Sequence, residues 1–326
     1  MPTSTPTPTP APISARVPAH TKHDARPDAP AVEAAGLAWL ADAAARGGAP
    51  ALPILAAPPG AQGIPGVPGP PGPAGELRTV RLPSGPPDAA AAEAFGRLLA
   101  HTHAAGAPWF GAPPAGWTRD GVMGDEALPL RQEPRPETGW GEFYATDRLL
   151  PYLPAARRNC SLDSDHERLI RRLAERLATG ALDHPQPALV AALAGDGHIP
   201  AARIHGDLWA GNVLWTTDPG LLPQTPGLEQ ARAAVAGSDR PTVGVLIDPA
   251  AHGGHAESDL AQLFVFGAPH ARRIVAAYDE VSPMPDAIPG VTERRALHQL
   301  HILIVHAALF GGSYGAQTTA AAARYL

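Results

Sequence analysis

The sequence is poor in cysteine, in positive charge and in long apolar runs. Its 326 residues include one cysteine, Cys160, which excludes an intramolecular disulfide framework and fits a reducing cytoplasm. The formal net charge is -6 at pH 7, so the sequence has no excess of positive charge that would favour binding to nucleic acid or to an anionic membrane surface. No apolar stretch approaches the roughly twenty residues that span a bilayer, and no signal-peptide pattern is present. We therefore expect a cytoplasmic protein whose partner is a small molecule, not a nucleic acid or a membrane.

Lysine is almost absent as well. Lys22 is the only lysine, and the other 24 of the 25 basic residues are arginine. An ammonium group and a planar guanidinium group are not equivalent where a compact charge must sit between phosphate oxygens and a carboxylate. Because arginine is used at every other basic position, we regard Lys22 as a candidate functional residue.

An acidic pattern around Asp207 is the strongest signal that the sequence does contain. The stretch 203–215 reads R-I-H-G-D-L-W-A-G-N-V-L-W, and an apolar run ending in Asp248 follows about thirty-five residues later. An Asp, an Asn five positions on and a second Asp at a strand end are typical of kinase-like phosphotransferases. Such enzymes need one carboxylate for the proton of the acceptor hydroxyl and oxygen ligands for Mg²⁺. Asp207 fits the first role, and Asn212 with Asp248 fits the second.

The longer string H-G-D-L-W-x-G-N resembles the fructosamine kinase (ketosamine-3-kinase) family, as do the later I-D-P-A, G-H-x-E-x-D-L-A and L-F-G-G-S-Y-G. These proteins are relatives of the aminoglycoside phosphotransferases. The resemblance runs from about Lys22 to Leu326 and is weakest before residue 85. It implies an α+β, protein-kinase-like bilobal fold with a small β-rich N-lobe and a mainly helical C-lobe.

A reaction is also implied by this resemblance. The γ-phosphoryl group of ATP would pass, with Mg²⁺, to a sugar hydroxyl of a ketosamine such as a fructosamine or ribulosamine, at the 3-hydroxyl. The labile product would shed its sugar, so the purpose would be deglycation. Trp209 would either face the sugar-like acceptor or pack under the catalytic loop. Four residues would support the site without touching substrate, in preference to a zinc site: His205, His255, Glu257 and Asp259.

Lys22 has a candidate partner in Glu33. A strand is predicted over 15–23 and a helix over 32–45, with Glu33 near its start. In kinases a strand lysine pairs with a helix glutamate and holds the α- and β-phosphates. The alternative is a solvated lysine and a glutamate favoured by the helix dipole.

Shifts in composition divide the chain into three parts. Residues 1–13 form a Thr/Pro arm with little to bury, predicted to be disordered. The nucleotide-binding N-lobe is predicted over 14–83 and the catalytic, acceptor-binding C-lobe over 84–326. Within the N-lobe, glycine recurs every third residue over 60–75. Because so few triplets do not support a collagen triple helix, we predict a polyproline loop insertion between two strands.

In the C-lobe, the pattern predicts helices over 88–104 and 165–179. Short strands are predicted at 213–215 and 242–247. The Pro-, Gly- and Gln-rich stretch 216–240 between those strands is predicted to be a surface insertion. The C-lobe therefore combines long helices with short strands around the acidic residues.

Glycine is missing before Lys22, where kinase-like N-lobes carry a glycine-rich hairpin over the phosphates. Three explanations stay open: translation that starts upstream, an abbreviated lid, or a loss of efficient catalysis. Two other activities also stay open, namely a small-molecule kinase of the aminoglycoside or choline type and a catalytically impaired nucleotide-binding relative. A monomer is the expected state.

Overall fold

The computed structural model describes residues 18–26, 28–135, 139–194, 200–217, 225–238, 241–287 and 290–326. The predicted Thr/Pro arm at 1–13 lies outside the described residues. A small sheet with one long helix forms the N-terminal part, and a mainly helical body follows. This is the predicted α+β architecture. Within the described residues, no helix combines the length and the apolarity that crossing a bilayer requires.

The N-terminal sheet is antiparallel, with strand order β1-β3-β2. Its strands are β1 (Ala19–His23), β2 (Ile54–Ala56) and β3 (Glu76–Val80). Lys22 lies opposite Leu77 in the β1–β3 ladder. The strand predicted to carry the lysine is thus present, and the sheet fixes its direction.

Helix α1 (Asp28–Ala44) packs between this sheet and the helical body. It begins four residues before the predicted start, because Asp28 suits the positive end of a helix and Pro30 is tolerated in the first turn. Small residues let the helix be buried on nearly every side. At Gly36, an added Cβ would lie only 3.0 Å from the Pro249 ring, so α1 approaches the segment after Asp248 closely.

The glycine-periodic segment 60–75 joins β2 to β3 and packs partly against α1. The predicted polyproline conformation is wrong for part of it, because Gly63, Gly66 and Gly75 have φ of +80°, +82° and +72°. Polyproline II requires a negative φ of about -75°. Ile64 is buried, so the periodic glycines here serve as turn residues that let the loop fold back on the protein.

The remaining helices form the body of the molecule. They are α2 (Ala89–Ala104), α3 (Trp140–Phe143), α4 (Leu153–Arg158), α5 (Ser164–Ala178), α6 (Ala188–Ala191), α7 (Leu228–Ala234), α8 (Ala256–Gln262), α9 (Ala271–Val281), α10 (Val291–His298), α11 (Leu300–Phe310) and α12 (Tyr314–Ala322). Asp88 caps α2 by accepting from the Ala91 N–H at 2.7 Å, and Asp163 caps α5. Helix α11 is apolar and buried on most sides, so it forms the centre of the core.

Three short strand pairs lie on the helical body. They are β4 (Gly121–Met123) with β5 (Glu126–Leu128), β6 (Ala202–Ile204) with β9 (His252–Gly254), and β7 (Val213–Thr216) with β8 (Val243–Leu246). The sequence analysis predicted no strands in the region of the β4–β5 hairpin. The stretch 216–240 is more than a surface insertion, because α7 within it buries Leu228 and Ala231.

Candidate active site

Two of these strand pairs bring the acidic residues together. Asp207 lies in the loop between β6 and β7, Asn212 immediately precedes β7, and Asp248 follows β8. The Asn212 Nδ2 group donates to the Asp207 carboxylate at 2.9 Å and to the Asp207 backbone oxygen at 2.9 Å. The Ile247 N–H donates to the Asn212 backbone oxygen at 3.1 Å, which places Asp248 beside them.

The backbone around these residues is unusual in two places. Gly206 has φ of +84°, and an added Cβ would lie 2.1 Å from the Ala250 oxygen, so glycine is required there. Asp248 also has a positive φ, at +50°. Aspartate tolerates this left-handed conformation better than most residues do. Both turns point the acidic side chains into one cleft.

Lys22 reaches this cleft from the small sheet. Its Nζ donates to Glu33 Oε2 at 2.7 Å and to Asp248 Oδ1 at 3.3 Å. The Glu33 side chain is 11% exposed, whereas those of Lys22 and Asp248 are 40% and 49% exposed. The buried glutamate therefore anchors a lysine whose charge remains open to a ligand.

Burial and neighbouring charges set the protonation of the cleft. Burial raises the pKa of Asp207 to about 6, against the Asn212 hydrogen bond, which lowers it. Burial also raises the pKa of Glu33 to about 7, although Lys22 opposes this. Burial favours the neutral form of Asp248 too, but the Lys22 charge prevails and lowers its pKa. At neutral pH Asp207 is therefore mainly ionised and able to accept a proton.

The catalytic loop is fixed by Asp259 on α8. The His205 and Gly206 N–H groups donate to the two oxygens of Asp259 at 2.7 and 2.9 Å. His205 Nε2 contacts the Ile247 backbone oxygen at 2.8 Å, so this ring braces the loop against the strand end. Both residues were predicted to support the site, and the structure places both against the loop backbone.

A further loop-supporting residue, His103, was missed. Its Nε2 lies 3.1 Å from Asp259 Oδ2, and its Nδ1 lies 3.0 Å from the Tyr278 hydroxyl. The side chains of His103 and Asp259 are completely buried. No local signal could reveal this contact, because the two residues are 156 positions apart.

The other two predicted supports act at a distance from the loop. His255 caps α8 through a 3.2 Å hydrogen bond from the Glu257 N–H to its Nδ1. The Glu257 carboxylate pairs with the buried Arg294 guanidinium at 2.6 and 3.0 Å. They hold α8, which carries Asp259, and make no hydrogen bond to the catalytic loop among the described residues.

The cleft has a volume of about 350 Å³ and is walled by four parts of the chain. They are the β1–α1 region, the β4–β5 hairpin, the loop from Asp207 to Asn212 and the segment 248–251. Arg26 joins two of these walls, because its guanidinium binds both Asp24 and the Gly124 backbone oxygen of the hairpin. The hairpin thus closes one side of the cleft.

Trp209 packs on the loop and also lines the cleft. Its ring covers Gly211, where an added Cβ would lie 2.3 Å from the indole. It also lines the cleft and remains 37% exposed. The ring meets Phe266 edge-on at 5.7 Å, and Phe266 lies 4.9 Å from the His306 ring. Trp209 therefore begins an aromatic surface that leads outward from the cleft.

The donor set fits a magnesium-bound nucleotide. Mg²⁺ prefers carboxylate and carbonyl oxygens, which Asp248 and Asn212 supply. The Asn212 Nδ2 group is bonded to Asp207, which leaves its side-chain oxygen for a metal. Lys22 offers a positive charge to phosphate oxygens on the same side.

A protein-kinase-like fold is the class that this arrangement defines, with a small sheet bearing a lysine, a helix glutamate that pairs with it, and acidic loops on a helical body. Comparisons with known proteins reach the same class. The chain is 34% identical to a protein from Thermobifida fusca YX-ER1 that carries a provisional assignment as a fructosamine-3-kinase. Its crystal structure superposes with a TM-score of 0.66, over 95% of this chain and 85% of that one. A structure from Haemophilus somnus 129PT, at 18% identity and a TM-score of 0.62 over 94% of this chain and 83% of that one, shows the same fold.

The sequence comparisons identify the family. The fructosamine kinase family model matches residues 81–326. A probable ketoamine kinase from Synechocystis sp. is 31% identical over 68% of this chain and 58% of its own length. The probable ketoamine kinase YniA of Escherichia coli K12 is 27% identical over 72% of this chain and 63% of its own length. The chain belongs to the fructosamine kinase family, and its match spans about three fifths of these curated relatives.

Proposed function

We propose that the protein transfers the γ-phosphoryl group of ATP to a sugar hydroxyl of a ketosamine, at the 3-hydroxyl, and so promotes deglycation. The convergence of Asp207, Asn212 and Asp248 beside Lys22 in one cleft carries this proposal. Family membership supports the ketosamine as acceptor.

The roles in the reaction follow from the contacts. Lys22, held by Glu33, binds phosphate oxygens of the nucleotide. Asn212 and Asp248 would hold Mg²⁺, which would supply neutralisation of charge on the transferred group. Asp207 orients the acceptor hydroxyl and takes its proton, because its carboxylate is fixed by Asn212 and ionised near neutral pH.

The acceptor side of the cleft begins at Trp209. A sugar ring has apolar C–H faces that pack on an exposed indole, and the ketosamine nitrogen is cationic when protonated. An aromatic face attracts such a cation by about 0.5–1 kcal/mol at an exposed site. Trp209 therefore suits an acceptor that joins a sugar to an amine.

The test compares acceptors in the presence of MgATP. Purified protein is incubated with a ribulosamine or a fructosamine and, in parallel, with free aminoglycosides and choline. Phosphate transfer is followed by mass spectrometry, and its position on the sugar by NMR. We expect transfer to the ketosamines at the 3-hydroxyl, and a loss of about 10² to 10⁴ in kcat for Asp207→Asn, which removes the general base.

Asp165→Asn is the matched control, because Asp165 is exposed at the start of α5. It should retain wild-type turnover. Preferred transfer to aminoglycosides or choline would instead favour the other small-molecule kinases. ATP binding without turnover of any acceptor would favour an impaired relative, and either result would overturn the proposal.

A further inference from the structure

Three histidines from distant parts of the chain meet inside the helical body. His184 lies between α5 and α6, His255 caps α8, and His298 ends α10. One ligand atom from each lies within 4.8 Å of the others. His298 Nε2 donates a 3.0 Å hydrogen bond to His184 Nε2, and an ion between the two rings would replace this bond. This histidine cluster (His184, His255 and His298) is separate from the proposed magnesium ligands Asn212 and Asp248.

The hydrogen bonds of the cluster leave imidazole nitrogens facing one another. His184 Nδ1 lies 3.0 Å from the Leu182 backbone oxygen and donates to it, so its Nε2 presents a lone pair to the cluster. His298 Nδ1 lies 3.0 Å from the Ser258 hydroxyl, which can donate or accept. Within the described part of the chain, His255 Nε2 is buried and makes no hydrogen bond of standard geometry, with the carbonyl groups of His184 and Pro185 nearby. A buried polar atom in this state costs free energy and indicates a missing partner.

The environment keeps these rings in the form that binds a metal. Burial lowers the pKa of His184 to about 4, and it lowers the pKa of His255 and His298 well below the usual range. The neighbouring Arg294 charge acts in the same direction, and the carbonyl groups of His184 and Pro185 only partly oppose it at His255. The rings are therefore neutral at physiological pH, and the neutral imidazole is the metal-binding form.

A carboxylate lies at the edge of the cluster. Glu257 Oε2 is 3.7 Å from His298 Nε2 and is also held by Arg294. Ligand atoms around a tetrahedral Zn²⁺ with bonds of about 2.1 Å are about 3.4 Å apart, so only small side-chain movements are needed. An ion on His255 Nε2 requires the ring proton on Nδ1, so the 3.2 Å cap bond from the Glu257 N–H is lost and the metal–nitrogen bond must offset that loss.

We propose that His184, His255 and His298 bind one transition-metal ion of the Zn²⁺ type, with Glu257 as the carboxylate at the fourth position. The site is closed and structural, because its ligands are buried. It joins the 182–187 segment, the start of α8 and the end of α10. Helix α8 also carries Asp259, which fixes the catalytic loop, so the ion stabilises the support of the active site without touching substrate.

The test measures metal content and stability together. Untagged protein is stripped with a chelator, dialysed against Zn²⁺ or Co²⁺, and assayed for bound metal by elemental analysis. We expect one ion per chain, a rise in Tm of several degrees on adding Zn²⁺, and the visible absorption of tetrahedral Co²⁺. His184→Gln and His298→Gln should abolish all three, with folding checked by circular dichroism.

Two controls separate this site from others. His301→Gln changes a buried histidine outside the cluster, and Asp248→Asn removes a ligand of the proposed magnesium site; both should keep the bound ion. The proposal is overturned if the wild type retains no metal, if His184→Gln and His298→Gln bind as much as the wild type, or if Asp248→Asn alone removes the ion. None of these readouts depends on kinase activity.

Discussion

Each of the side chains proposed to carry the chemistry of this protein is held by a specific partner. Asp207 is fixed by Asn212, and Lys22 is fixed by Glu33. The residue types and their spacing predicted which side chains would meet. The sequence did not reveal His103, whose partner Asp259 lies far along the chain and is met only after folding.

The raised pKa of Asp207 predicts how turnover depends on pH. A general base must be ionised, and burial raises the Asp207 pKa to about 6. We expect kcat/KM to be constant above about pH 7 and to fall tenfold per pH unit well below pH 6. Initial rates with a ketosamine, restricted to pH values at which circular dichroism shows folded protein, measure this. A fall in kcat/KM that is centred near pH 4, as expected for an ordinary carboxylate, would contradict the prediction.

The helices and strands of the fold depend on tertiary packing between elements as well as on the periodicity of apolar residues in the sequence. Helices α2 and α5 were predicted well, because caps and apolar stripes are local signals. The β4–β5 hairpin was missed, since three-residue strands leave little periodicity to detect. Helix α7 was missed because its surroundings are rich in Pro, Gly and Gln, although tertiary packing buries one of its faces.

The close contact between α2 and α9 at Gly96 predicts how adding one methyl group there changes the free energy of unfolding. A Cβ at Gly96 would lie 2.1 Å from the Ile274 backbone oxygen, which a side-chain movement cannot relieve. Alanine favours helices over glycine by about 1 kcal/mol, but the clash decides the sign here. We expect Gly96→Ala to lower the free energy of unfolding by about 1–3 kcal/mol in urea titrations.

Gly85→Ala is the matched control, because no atom lies within 4 Å of a Cβ at that position. Its free energy of unfolding should stay within about 0.5 kcal/mol of the wild type. If Gly96→Ala is equally stable, the two helices are further apart than the structure shows.

Buried neutral histidines affect the stability of the whole molecule. Among the described residues, burial lowers the pKa of seven histidines: His184, His205, His252, His255, His298, His301 and His306. In the unfolded chain these rings take up protons near pH 6.5. Below that pH the unfolded state binds more protons than the folded state, so the free energy of unfolding falls with pH. Four carboxyl groups with raised pKa values act in the opposite direction but are fewer than the histidines: Glu33, Asp183, Asp207 and Glu257.

We therefore predict marked acid sensitivity between pH 7.5 and 5.5. Each fully buried histidine contributes about 1 kcal/mol of lost stability per pH unit below 6.5. Urea unfolding at a series of pH values measures the slope. His301→Leu should reduce the proton uptake on unfolding by about one. Stability that is constant or rises on acidification would contradict the prediction.

The sequence by itself determined the class of fold, the family resemblance and six of the residues that line the cleft: Lys22, Glu33, Asp207, Trp209, Asn212 and Asp248. These depend on residue type, spacing and local periodicity, which are present in the unfolded chain. Only the tertiary structure decided that the β4–β5 hairpin closes the cleft, that His103 holds Asp259, and that three distant histidines share one buried space. Such contacts join residues that are far apart along the chain, and they exist only once packing has brought their elements together.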